Sequence, residues 1–140
     1  MVEMKEIRTE AELECALELC YRILGDHLRE HELYGPKAWR KRLADGLQPM
    51  LYAEDDGQVV SVVLGRAESA ESLVIGHVAC HEDWRGQGIT RELLGRFEQA
   101  AREMGFKAIT LGSEADAFYE KCGYHVIFQM HGQNVYQKLL

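Results

Sequence analysis

The sequence predicts an α+β fold, a single domain over residues 1–140 with helices packed on a mixed central β-sheet. Three observations carry that expectation. Apolar residues recur at helical spacing in the first third of the chain and again from Ile89 to Met104. From residue 49 to Cys80 the pattern becomes that of strands separated by turn residues. After Gly88 helices and strands alternate, so the element order reads β-α-α-β-β-β-α-β-α-β-β.

Residues 3–8 read as a first strand. Thr9 is a candidate N-cap, with Glu12 three residues on completing a capping box. Leu13, Ala16, Leu17, Cys20, Tyr21 and Leu24 then line one helical face, and Gly25 ends the helix. Pro36 suits the first position of a second helix that stops by Gly46. Trp39 and Leu43 form its apolar face, and the Lys37–Arg42 cluster reads as a solvated one. Residues 50–53 form a strand, Asp56-Gly57 a hairpin turn, and residues 59–64 the return strand. Residues 73–80 are apolar enough for a central strand. Ile89, Leu93, Phe97, Ala100, Ala101 and Met104 form the buried stripe of the next helix, closed by Gly105. A short strand at 107–111, a short helix at 115–121 and a C-terminal hairpin around His131-Gly132 complete the chain.

The composition is that of an ordinary globular protein, with 46% hydrophobic and 28% charged residues. No apolar run approaches the ~20 residues of a membrane-spanning helix. The first ten residues lack an apolar signal core, so export is not indicated. The net charge of -7 argues against a general nucleic-acid binder, whose footprint is basic. It is compatible with a cationic, amine-bearing substrate. Cys15, Cys20, Cys80 and Cys122 form no C-x-x-C pair. Scattered thiols suit the reducing cytoplasm, with Cys15 and Cys20 filling core. His27 and His31, with Glu30 and Glu32, have helical metal-ligand spacing but no third ligand at a familiar position, so they read as a polar face and no metal is expected.

Between the central strand and the following helix lies Arg85-Gly86-Gln87-Gly88-Ile89-Thr90. The first turn of a helix leaves N–H groups without partners, and the helix dipole adds positive potential there. Glycines admit a phosphate close to the backbone, and Arg85 adds a full charge. Walker A is excluded, because no Gly-Lys pair occurs in the chain. The dinucleotide pattern G-x-G-x-x-G fails at its third glycine, which is Arg91.

Residues 78–94 resemble the acetyl-CoA motif Q/R-x-x-G-x-G/A of the GNAT superfamily of N-acyltransferases. Arg85 and Gly88 match; Thr90 stands where Gly or Ala is usual, and its hydroxyl is expected to hydrogen-bond to the phosphate rather than crowd it. Ala115-Asp116-Ala117-Phe118-Tyr119-Glu120-Lys121-Cys122-Gly123-Tyr124 resembles the family segment A-x-x-F-Y-x-x-x-G-F/Y. Gly112 falls where many members carry an Asn that touches the cofactor. The resemblance covers nearly all of the chain, the helices at 10–46 being generic.

The resemblance implies direct transfer of an acetyl group from acetyl-CoA to a primary amine on a small molecule or peptide. It implies that Val78, Ala79 and Cys80 pair with the pantetheine arm like an added strand. The amides of residues 86–90, Gly86, Gln87, Gly88, Ile89 and Thr90, would hold the pyrophosphate with Arg85. An N–H near Ala79 or Cys80 would stabilise the carbonyl oxygen. Tyr119 matches the tyrosine that protonates the departing thiolate, with Phe118 and Tyr124 packing. Some members place a Glu base where this chain has Val74. His81 is the leading candidate for that role, ahead of His77, Glu71 and Glu82. Cys80 is a lesser candidate for an acyl-enzyme. A non-catalytic acyl-CoA sensor of the same fold is the alternative reading. No nucleic-acid or membrane partner is expected, and a homodimer through the C-terminal strands is possible.

Overall fold

Two turns with left-handed backbone set the hairpins. Asp56 and Gly57 have φ of 52° and 84°, and His131 and Gly132 have 53° and 78°, the paired positive angles of a type I′ turn. The computed structural model describes all 140 residues, Met1–Leu140. In chain order the elements are β1 (Val2–Glu6), α1 (Glu10–Leu24), α2 (Pro36–Asp45), β2 (Met50–Asp55), β3 (Gln58–Ala67), β4 (Ser72–Cys80), α3 (Ile89–Glu103), β5 (Ala108–Ser113), α4 (Asp116–Lys121), β6 (His125–Met130) and β7 (Gln133–Leu139). This is the expected order, with short 3-10 turns added at Asp26–Glu30 and Glu82–Trp84. The seven strands form one sheet, β1-β2-β3-β4-β5-β7-β6, in which only β4 and β5 run parallel. No helix is long and apolar enough to cross a membrane.

The capping box forms: Glu12 N–H donates to Thr9 Oγ1 at 3.1 Å, and Thr9 N–H donates to Glu12 Oε1 at 3.0 Å. One sheet face packs on α3 through Leu73, Ile75, Leu93, Phe97 and Ile109. The other packs on α1 and α2 through Leu13, Leu17, Tyr21, Trp39, Val62 and Ala79. Four expectations need correction here. Met104, expected in the buried stripe of α3, is exposed where it caps the C-terminus of that helix. Cys15 is exposed rather than core, because it lies off the stripe that buries Cys20. Leu24 is also exposed, at the open end of α1. Residues 26–30 form a 3-10 turn, so His27 and His31 do not share an α-helical face.

Strand parity alone would put Leu73, Ile75, His77 and Ala79 on one face. The structure does not. Leu64 pairs with His77 but Gly65 pairs with Ile75, so Gly76 is an extra residue, a β-bulge. Leu73 and Ile75 therefore face α3, whereas His77 and Ala79 face α1 and α2. The bulge must be glycine for a spatial reason. A Cβ on Gly76 would lie 2.8 Å from Trp39 Cη2 and 3.0 Å from Tyr34 Cε1. The His77 ring lies among Tyr21, Tyr34 and Trp39, with centroids 6.2, 5.1 and 5.2 Å away. It is 3% exposed, and its Nε2 has no partner. Burial pushes its pKa down to about 4.

Gly76→Ala should destabilise the fold by about 2 kcal/mol, because the rings above the bulge must shift. Urea unfolding followed by Trp fluorescence measures this, and an unchanged midpoint would refute the packing argument. His77 gives a pH signature. Its folded pKa, about 4, lies below the free value of 6.5, so the unfolded chain takes the proton first. Its contribution is intact above pH 6.5 and is lost as pH falls towards 4, by up to about 3 kcal/mol. His77→Phe should therefore lose less stability than the parent between pH 7 and pH 4.5. Parallel losses in urea titrations would count against the assignment.

Candidate active site

β4 and β5 pair only from Ser72–Val74 to Ala108–Thr110. Beyond Val74 the strands part, while β5 stays bonded to β7 along its whole length. The open edge of β4 can be read from one bond. His81 N–H donates to Val60 O at 2.8 Å, so the peptide groups of His81 and Ala79 turn towards β3. Those of Val78 and Cys80 then turn into the gap. Of the three residues expected to pair with a pantetheine arm, Val78 and Cys80 present an open edge. Ala79 spends its peptide groups on β3, and its side chain is buried on the α1 face.

The gap continues to the start of α3. Gly86 and Gly88 have φ of 78° and 77°, and a Cβ on either would meet nothing within 4 Å. Both angles lie in the left-handed region that favours glycine. Glu92 N–H makes the first helical bond, to Gly88 O, which leaves the N–H groups of Ile89, Thr90 and Arg91 without helical acceptors. The loop before them is tied down. Trp84 Nε1 donates to Asp55 Oδ2 at 3.2 Å, and Arg22 Nη1 to both carboxylate oxygens of Glu82 at 2.9 and 3.0 Å.

Thr90 behaves unexpectedly. Ser61 Oγ donates to Ala79 O at 3.1 Å and lies 2.9 Å from Thr90 Oγ1. Ser61 has one proton, so Thr90 must donate the bond between them. The Thr90 hydroxyl thus fastens α3 to β3, and its proton is not free for a phosphate. Its backbone N–H still is.

These elements enclose a cleft of about 680 Å³, within the ~300–1,000 Å³ range of small-molecule sites. Val78, Cys80, Arg85, Gly86, Gly88, Ile89 and Thr90 line it; Ala79 and Gln87 do not. Arg91 and Lys121 also line it, and no carboxylate does. Arg85, Arg91 and Lys121 make no ion pair with the chain's own carboxylates. Sequence reasoning missed Arg91 and Lys121, along with Ile23 and Leu24, which form an apolar wall. Arg91 was legible as a cation in the first turn of a phosphate-facing helix; Lys121 is brought there by α4.

Tyr119 reaches the same cleft. It packs against Phe118, Tyr124 and Tyr136 at 5.0, 5.8 and 5.7 Å. Its hydroxyl makes no hydrogen bond within the chain, and burial pushes its pKa up to about 12. The phenol therefore keeps its proton at neutral pH and has no competing acceptor. Asp116, which accepts from Asn134 and from the Tyr136 hydroxyl, pins α4 in place. Tyr124 packs as expected, with its hydroxyl on buried Glu98 at 2.8 Å.

The candidates for proton removal do not gather in this cleft. His81 caps the 3-10 turn after β4: its Nδ1 accepts from Asp83 N–H at 3.1 Å and its ring meets Trp84 edge-on. His77 is caged on the other face, and Glu82 is paired with Arg22. Cys80 Sγ points its proton at the His81 carbonyl, 3.5 Å away, with no base beside it. At Gly112 the Gln133 Oε1 lies 3.1 Å from where a Cβ would be, so a carboxamide from β7 occupies that position.

The family model described as "Acetyltransferase (GNAT) family" matches residues 6–124. No curated protein matches the chain significantly in sequence. Among solved structures, the PaiA N-acetyltransferase of Thermoplasma acidophilum in complex with coenzyme A superposes with a TM-score of 0.85 at 14% identity, over 100% of this chain and 99% of that one. The GNAT family N-acetyltransferase YhbS of Escherichia coli in complex with CoA gives 0.78 at 20% identity, over 99% and 81%. A GNAT family acetyltransferase of Elizabethkingia anophelis with acetyl-CoA bound gives 0.73 at 12% identity, over 99% and 98%. At such low identity these likenesses concern the fold. The family model adds the sequence relationship, and the chain belongs to the GNAT acetyltransferase family.

Proposed function

We propose that the protein is an N-acetyltransferase that moves the acetyl group of acetyl-CoA to a primary amine by direct attack. The observation that carries this reading is the cleft itself. Its lining has three cations and no carboxylate, and it runs from the bare N-terminus of α3 along the open β4 edge to the Tyr119 hydroxyl. Arg85, Arg91, Lys121 and the α3 amides suit phosphates. Val78 and Cys80 suit an extended amide-bearing arm.

In the reaction the amine nitrogen attacks the thioester carbon. The carbonyl electrons move to oxygen, where the Val78 or Cys80 N–H facing the gap stabilises them. The carbon–sulfur bond then breaks, and Tyr119 passes its proton to the thiolate. The amine proton leaves to water or to His81 Nε2, since Nδ1 of that ring is engaged. A sensor that binds acyl-CoA without turnover is the second reading, favoured by Val74 and by the absence of a carboxylate from the cleft.

Tyr119→Phe should cut kcat for CoA release by about 100-fold and leave KM for acetyl-CoA nearly unchanged. An unaltered kcat removes Tyr119 from the proton's path, and no CoA release with any amine favours the sensor. Arg91→Ala and Lys121→Ala should each weaken CoA binding by about tenfold, roughly the worth of one charge-assisted contact. Calorimetry at low and high salt tests this, because the loss should shrink as salt screens the charges. Equal affinities in parent and variants would place the phosphates elsewhere.

A further inference from the structure

A second cleft, of about 880 Å³, lies where the loop before α2, α2 itself and the end of β3 meet. Cations outnumber acids on its walls, and two of them are unusual. Arg42 and Arg66 hold their guanidinium groups 5.9 and 5.8 Å from the centre of one ring, that of Tyr34, and Arg42 also lies 4.4 Å over Trp39. Arg42 Nη1 and Arg66 Nε are buried without any hydrogen-bond partner, as is Trp39 Nε1. Arg42 has no ion pair. Arg66 touches only Glu68, at 3.2 Å through Nη1, and that carboxylate is half exposed. Burial and the charge of Arg66 push the Arg42 pKa down. Two like charges over one ring, each with an orphaned buried donor, are costly unless something anionic completes them.

The cleft ends at Arg66, on the strand next to the one that edges the gap between β4 and β5. Arg66 pairs across the sheet with Val74, and Val74 with Thr110 is the last pair before the strands part. One strand spacing, about 4.8 Å, separates Arg66 from the gap-edge strand. The Tyr34 ring extends to the bulge, where it lies 3.0 Å from the position of a Cβ on Gly76. The overall charge of -7 would favour a cationic acceptor, but the charge on this face has the opposite sign.

We propose that Arg42 and Arg66 bind an oxyanion, a carboxylate or a phosphate, carried by the amine substrate several bonds from its nitrogen. This rests on the acetyltransferase reading. The planar fork of each arginine offers its remaining N–H groups to the anion, the Tyr34 ring lies near both forks and Trp39 near that of Arg42, and the amine end points towards the thioester.

The chain has two tryptophans, one at each site, so the indole N–H signals of a 15N-labelled sample report them separately. Acetyl-CoA should move the Trp84 signal. 6-Aminohexanoate or an aminoalkyl phosphate should move the Trp39 signal saturably, whereas hexylamine and putrescine should not. Whichever anion binds more tightly identifies the source. Arg66→Met and Arg42→Met should each abolish the Trp39 response and leave the acetyl-CoA response of Trp84 intact; Arg66→Lys, which keeps the charge and loses the fork, should weaken it. In turnover the anionic amine should exceed hexylamine in kcat/KM by tenfold or more, through KM, and the Met variants should erase that preference. No Trp39 shift at tens of millimolar anion, or an equal shift with hexylamine, overturns the proposal. An unmoved Trp84 signal with acetyl-CoA instead overturns the acetyltransferase reading, so the two failures are distinct.

Discussion

The single extra residue at Gly76 governs much of this molecule. A bulge in a central strand swaps the faces of everything beyond it. Before it, β4 supplies Leu73 and Ile75 to the α3 core; after it, the strand supplies His77 and Ala79 to the α1 and α2 core. The bulge lies just past the last pair of β4 with β5, at Val74. The parting of β4 from β5 leaves the peptide groups of Val78 and Cys80 open. The bulge persists because Trp39 and Tyr34 sit where any Cβ on residue 76 would be. Helix α2, which carries no cofactor-facing residue, thereby holds the geometry of the cofactor cleft.

Charge is arranged against the average. The chain is acidic overall, yet cations outnumber acids on the walls of both clefts. Several carboxylates are engaged away from the cleft walls: Glu82 holds Arg22, Asp55 holds Trp84, and Glu54 holds Lys5. In the cleft beside β4, bare cations and the lack of any lining carboxylate keep an anionic ligand from facing competing protein groups. Local placement, not net charge, sets ligand sign over distances shorter than the ~10 Å screening length.

The legible parts were those set by short-range chemistry. The helix at Ile89, the two hairpin turns and the Thr9 capping box each depend on a few adjacent residues, and all are present. Tyr119 was found because its spacing matches a family segment. The rest depended on contacts across long stretches of chain. Nothing adjacent to Gly76 marks a bulge, so His77 read as a strand residue near the reacting atoms rather than a caged core ring. Arg42 read as part of a solvated face, but Trp39 and Tyr34 draw it inward. Thr90 read as a phosphate ligand because its partner, Ser61, lies on another strand. Lys121 joins the cleft only through the placement of α4.

The missing base also follows from these placements. An ammonium ion entering the cofactor cleft finds no carboxylate to stabilise it, and it loses water as it enters. Lost hydration and uncompensated positive neighbours both lower an amine's pKa. His77 cannot take the proton, because burial holds it neutral down to about pH 4 and its cage excludes substrate. On the acetyltransferase reading, the family's strand glutamate becomes dispensable at Val74. A carboxylate there would pair with Arg66 across the sheet and satisfy the donors left open to the substrate's own anion. On the two proposals together, an apolar Val74 leaves the arginines open to the substrate's anion and its amine without a stabilising carboxylate, so one residue serves both ends of the acceptor.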